Sequence, residues 1–153
     1  MSRYFATTRW SNSGPDFTRG KYSRAHQWTF SGGATIAATA APDIVPPPWS
    51  EPANVNPEEA FVAALSSCHM LFFLSLAAGK GYRVESYEDR AEGVMSKNSQ
   101  GRTGITRVTL RPRCTWSGDD APDADRLAAL HHQAHELCFI ANSVTTEVEV
   151  VPE

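Results

Sequence analysis

The sequence predicts an α+β fold, on three observations. Residues 21–30 alternate in the manner of a strand: Tyr22, Arg24, His26, Trp28 and Phe30 share one face, and Ser23, Ala25, Gln27 and Thr29 the other. The run from Ala60 to Ala78 is apolar at almost every position and follows a strong helix-start signal. Strand patterns recur after that helix, with no βαβ phosphate loop anywhere in the chain. At 153 residues, 41% of them hydrophobic, the chain is expected to form a single domain over 1–153 with one buried core.

Taken in order, Met1–Trp10 reads as a first strand, and Ser11–Arg19, with Gly14 and Pro15, as a turn region. Lys21–Phe30 is the second strand, and Gly32-Gly33 turns the chain into a third, Ala34–Ala40. Pro42–Val55, with Pro46-Pro47-Pro48, is a long, stiff connection. Asn56-Pro57-Glu58-Glu59 then places an N-cap, a first-turn proline and a capping-box glutamate in register, so a helix is expected from Pro57 to Gly79 or Gly81. A helix apolar all round needs cover all round, which points to a second subunit. The run is also long enough to span a membrane, but Ser66, Ser67, His69 and Ser75 interrupt it and amphipathic strands flank it, so no membrane partner is expected. Tyr82–Met95 and Thr103–Trp116 read as two strands joined at Lys97–Gly101, Asp123–Leu137 as a second helix, and Ser143–Val151 as a last, half-buried strand. The expected order is βββ–α–ββ–α–β.

Charge and cysteine content narrow the function. Fourteen basic against seventeen acidic residues give a net charge of −3, too little positive charge for a nucleic-acid partner. Met1–Trp10 has no apolar signal-peptide core, and three scattered cysteines do not form a disulfide framework, so a reducing, cytoplasmic setting is expected. Cys114 shares an apolar strand face with Val108 and Leu110 and reads as core. Cys68, mid-way along the first helix, and Cys138, at the exit of the second, have more polar surroundings. A reactive thiol needs a nearby cation or helix N-terminus. Cys68 lies three turns from Pro57, beyond the reach of the helix dipole, so a cation must serve. Arg24, on the apolar face of its strand, is the choice, with Glu58 as the carboxylate to hold it; Arg19, beside Gly20 in a turn, reads as solvated.

Two other readings stand beside this one. His131, His135 and Cys138 recur at i, i+4 and i+7 on one helix face, with Cys68 able to close a tetrahedral zinc shell. That spacing arises easily, and the paired cysteines of structural zinc are absent, so no metal is expected. The remaining reading is a dimeric ligand-binding module whose cysteines are inert.

The motif Asn56-Pro57-Glu58 with Cys68 ten residues after its glutamate, the approach Ala134-His135-Glu136-Leu137-Cys138, and the segment Tyr22-Ser23-Arg24-Ala25-His26 together resemble the OsmC/Ohr proteins. These are osmotically inducible protein C and the organic hydroperoxide resistance proteins, here with closer likeness to an OsmC-like branch. The resemblance implies antiparallel sheets wrapped around long central helices in an intertwined homodimer. It also implies a thiol peroxidase without a cofactor, acting on organic hydroperoxides. Cys68 would be the attacking thiolate, Cys138 the resolving thiol, and Arg24 the activating cation oriented by Glu58. An external dithiol, of the dihydrolipoyl type in one branch, would complete the cycle. Two departures stand out. Phe139 and Ile140 follow Cys138 where well-known relatives carry a proline, and His69 follows Cys68 where many carry an apolar residue.

Overall fold

The computed structural model describes residues 1–118 and 121–153. The chain packs as two compact units, Met1–Ala60 and Phe61–Glu153. The first holds an antiparallel sheet of β1 (Ala6–Arg9), β2 (His26–Phe30) and β3 (Thr35–Ala38) in the order β1-β2-β3. These strands are shorter than the alternation predicts, and Arg24 lies outside β2. The backbone N–H of Arg24 donates instead to the carbonyl of Trp49 in the proline-rich connection (2.8 Å). That connection is anchored in turn through Thr39, whose hydroxyl accepts from the Glu51 N–H at 2.9 Å.

Helix α1 runs from Pro57 to Gly79. The capping box forms as expected: the Glu59 N–H donates to Asn56 Oδ1 (2.9 Å) and the Asn56 N–H to Glu59 Oε2 (3.4 Å). Within the single chain the helix is not covered all round. It buries one stripe, Leu65, His69, Phe73 and Ala77, and leaves Leu71 61% exposed on another face. Helix α1 is long and apolar enough to cross a membrane, with mean hydropathy 1.9 over its most apolar window. Its buried stripe nevertheless packs on strands and a helix of its own chain, as the core helix of a globular unit does.

The second unit gathers its apolar side chains in two clusters along α1. Leu65 packs with Val108 and Leu110, flanked by Phe61, Val62, Ile105, Ile140 and Val148. Phe73 and Ala77 pack with Leu130 and Ala134 of helix α2 (Ala124–Leu137), flanked by Tyr87, Cys114 and Trp116. The two expected strands between the helices are each broken in two. β4 (Val84–Asp89) pairs with β7 (Pro112–Trp116), and β5 (Glu92–Lys97) with β6 (Thr103–Leu110). The break has a cause in Asp89, whose carboxylate accepts from the Arg111 N–H (2.6 Å) and the Ser66 hydroxyl (2.5 Å), while Pro112 offers no N–H to continue the ladder. β8 (Glu147–Val150) joins β6 in parallel, giving the order β5-β6-β8. Gly93 lets β5 approach α1, since a Cβ there would lie 2.6 Å from Val62 Cγ2.

Candidate functional site

Of the residues singled out in the sequence, Cys68 and Cys138 are brought together. Cys68 is half-buried on α1, and Cys138 is 1% exposed where α2 ends. Both thiols are free, and they face each other closely enough to hydrogen-bond. Burial pushes the Cys138 thiol up to about 11, and the hydrogen bond with Cys68 adds to the rise. The backbone N–H groups of Ala141 (3.4 Å from Sγ) and Ile140 pull the other way by donating to the sulfur. At neutral pH Cys138 is therefore a protonated thiol with two donors already aimed at its sulfur.

The turn that carries Cys138 is shaped by its own hydrogen bonds. Helix α2 stops because Cys138 adopts ψ 109°. The Asn142 N–H then donates to the Cys138 carbonyl (3.0 Å), Asn142 Nδ2 to the Glu136 carbonyl (2.8 Å), and the Ser143 hydroxyl to the Phe139 carbonyl (2.7 Å). The Phe139 ring is 70% exposed and stands edge-on to Phe72 of α1, centroids 4.9 Å apart.

Beside the thiols lies a buried histidine pair that spacing did not single out. His69 Nε2 and His131 Nδ1 are 3.0 Å apart, with rings within 7° of parallel, and His131 stacks on Phe73 at 4.2 Å. Burial holds both imidazoles neutral, lowered to about 4. His135 lowers His69 further, Asp89 opposes that shift, and His69 lowers His131. His69 Nδ1, His131 Nε2 and His135 Nδ1 are buried without a partner among the described residues. The partnership joins positions far apart in sequence, and α1 shows no apolar stripe to mark which residues face inward, so only the three-dimensional packing exposes it.

The histidines do not form the metal face that their spacing allows. His131 is turned to His69 and Cys138 to Cys68, and among the described residues no group of three or more His, Cys, Asp or Glu side chains is disposed to hold a metal ion. Cys114 lies in the Phe73 cluster, and burial pushes its thiol to about 11, as fits a core residue.

In the first unit, Arg24 does not sit on a strand face. Its guanidinium Nη1 donates to the carbonyls of Gly20 (2.9 Å) and Tyr22 (2.5 Å) and lies over the Tyr22 ring, 3.7 Å from its centroid. Carbonyls and a π-face thus hold the cation, and among the described residues no ion pair joins it to Glu58. Glu58 Oε2 is buried with no partner among those residues. Arg19 is exposed and pairs with Asp16 at 3.5 Å.

The chain matches the family model described as OsmC-like protein over residues 50–153. It is 54% identical to an OsmC-like protein of unknown function from Vibrio cholerae, with a TM-score of 0.98 and full coverage of both chains. An organic hydroperoxide resistance protein OsmC from Legionella pneumophila shares the fold at TM-score 0.71 and 16% identity, covering 99% of this chain and 96% of that one. An organic hydroperoxide resistance protein from Bacillus subtilis does so at TM-score 0.68 and 19% identity, covering 99% and 98%. No curated protein matches the chain.

Proposed function

Because the chain belongs to the OsmC-like protein family, we propose that it is a thiol-dependent peroxidase that reduces organic hydroperoxides. The observation that carries this reading is the contact between the Cys68 and Cys138 thiols, one half-exposed and the other buried under donors. Two structures of the same fold are organic hydroperoxide resistance proteins, which supports the substrate class.

In the first step the Cys68 thiolate attacks the distal peroxide oxygen. The O–O bond breaks, Cys68 becomes a sulfenic acid, and the alkoxide leaves with a proton as the alcohol. Arg24 is the cation assigned to the thiolate and to the developing oxyanion, with Glu58 to orient it in the working assembly. Cys138 then attacks the sulfenic sulfur, forming a disulfide and releasing water. The N–H groups of Ala141 and Ile140 lower the cost of making its thiolate. An external dithiol, for which the dihydrolipoyl type is a candidate, returns both thiols. The assembly proposed is a cytoplasmic homodimer. Support comes from the exposed Leu71 on α1 and from Phe5, Ile44 and Val55 in the first unit, apolar side chains that a second copy would cover.

The test is the intact mass of the protein after one equivalent of cumene hydroperoxide. Loss of two hydrogens is expected, and Cys68→Ser should abolish peroxide consumption. Gain of one oxygen would mean that Cys138 does not resolve. No change in mass, or full activity in Cys68→Ser, would leave an inert ligand-binding module as the better account.

A further inference from the structure

We infer that Phe139, set edge-on against Phe72, is the positioning residue that keeps Cys138 within bonding reach of Cys68. The inference rests on the two-thiol reading above. Cys68 and Phe72 are one turn apart on the same face of α1, and Cys138 and Phe139 are neighbours at the exit of α2. The thiol contact and the ring contact therefore form two successive rungs between the same two elements.

Cys138 needs such a rung because helical geometry no longer fixes its sulfur. At ψ 109° it has left α2, and the hydrogen bonds that follow, from Asn142 to the carbonyls of Cys138 and Glu136 and from Ser143 to that of Phe139, all lie within the turn. They set the shape of the turn without tying it to α1. Ile140 and Ala141 anchor its far side in the Leu65 cluster. On the near side, next to the thiol, stands the Phe139 ring. At 70% exposure that ring gains little from burial, so the edge contact with Phe72 accounts for its place. The same exposure means that truncation leaves almost no cavity, which separates the position of Cys138 from the stability of the fold.

The experiment is a glutathione redox titration of the protein carrying Cys114→Ser, so that only the pair in question titrates. The Cys68 and Cys138 thiols lose two hydrogens and form one disulfide, while one oxidised glutathione is reduced to two glutathione thiols. The fraction oxidised, read by intact mass after acid quench, gives the effective concentration of one thiol at the other. Phe139→Ala should lower it by about 3- to 10-fold, as the loss of one aromatic pair would, with little change in Tm. Phe72→Leu should lower it from the other side of the contact, and Phe139→Tyr should restore it. Gly93→Ala, which strains Val62 in the Leu65 cluster that holds the far side of the turn, should lower Tm and move the effective concentration less than Phe139→Ala does. An unaltered value in Phe139→Ala and Phe72→Leu, or an equal fall in Gly93→Ala, would overturn the assignment. If glutathione forms the disulfide with this dependence on Phe139 but hydroperoxide does not, the positioning role stands and the peroxidase reading falls. If no 68–138 disulfide forms in any buffer, both fall.

Discussion

In Met1–Ala60 every buried side chain is small or polar: Ala38, Thr39, Ala41, Ser50 and Asn56. In Phe61–Glu153 the buried set includes Leu65, His69, Phe73, Val108, Leu110 and Leu130. The first unit presents its aromatic side chains at or near the surface, with Trp10, Phe17 and Tyr22 clustered at centroid distances of 4.6 to 5.6 Å and Arg24 over the last of them. The second encloses an aromatic, two imidazoles and a thiol in its interior. The difference teaches where chemistry and stability are coupled. A polar group held at the surface by carbonyls is exchangeable at small cost to the fold, whereas one enclosed by a core changes stability whenever its charge or volume changes.

The largest effect expected from that contrast is at Arg24. Under the proposed mechanism Arg24→Ala should slow hydroperoxide reduction by about 100-fold or more while Tm moves little, and Arg19→Ala should change neither. Stopped-flow peroxidase assays beside thermal melts check this. Equal rates for the two variants would remove the activating role from Arg24. A fall in Tm as large as that of a core substitution would erase the contrast between the units.

The interior imidazoles should make stability depend on acid. Both folded values lie below the usual 6.5, at about 4, so above pH 6.5 neither state of the protein binds the protons and stability is flat. As pH falls from 6.5 to 4 the unfolded chain takes up protons that the folded chain refuses, and stability drops, by about 3 kcal/mol for each imidazole on this linkage. Urea midpoints across that window should show the slope, and His69→Leu/His131→Leu should remove most of it. An identical slope in the double variant would place the acid sensitivity elsewhere.

Two smaller tests probe packing in the second unit. Gly93→Ala forces a methyl against Val62 and should cost about 1–3 kcal/mol, as overpacking does. A midpoint equal to that of the unaltered protein would mean that β5 can back away from α1. Cys114→Ser should cost roughly 1 kcal/mol and leave activity unchanged, because its thiol is held neutral among apolar neighbours.

Features that depend on neighbours in sequence were legible from it. The Asn56/Glu59 capping box and the extent of α1 appear as the pattern predicts, and α2 does so to within one residue, Asp123 serving as its cap by accepting from the Arg126 N–H. The broken hairpin was not legible, because Asp89 interrupts it through Ser66, far away in the chain. Nor was the inward stripe of α1, since an almost uniformly apolar helix carries no phase. The Cys68–Cys138 pair was legible through family resemblance. The contacts that surround it, His69 with His131 and Phe72 with Phe139, join residues with no common local pattern. Arg24 was chosen for an alternation that ends short of it: β2 starts at His26, and backbone carbonyls hold the guanidinium.

The hydrogen bond between His69 and His131 also has a sense of direction. A neutral imidazole owns one N–H and one lone pair, so only one ring can give the proton to the bond. If His69 gives it, the outer nitrogen of His69 is bare and that of His131 carries hydrogen; if His131 gives it, the roles reverse. The two rings thus behave as a buried arrow with two settings, equal in net charge and opposite in polarity. A water or side chain that meets one tip as a donor dictates that the other tip, across the α1–α2 contact, must itself donate.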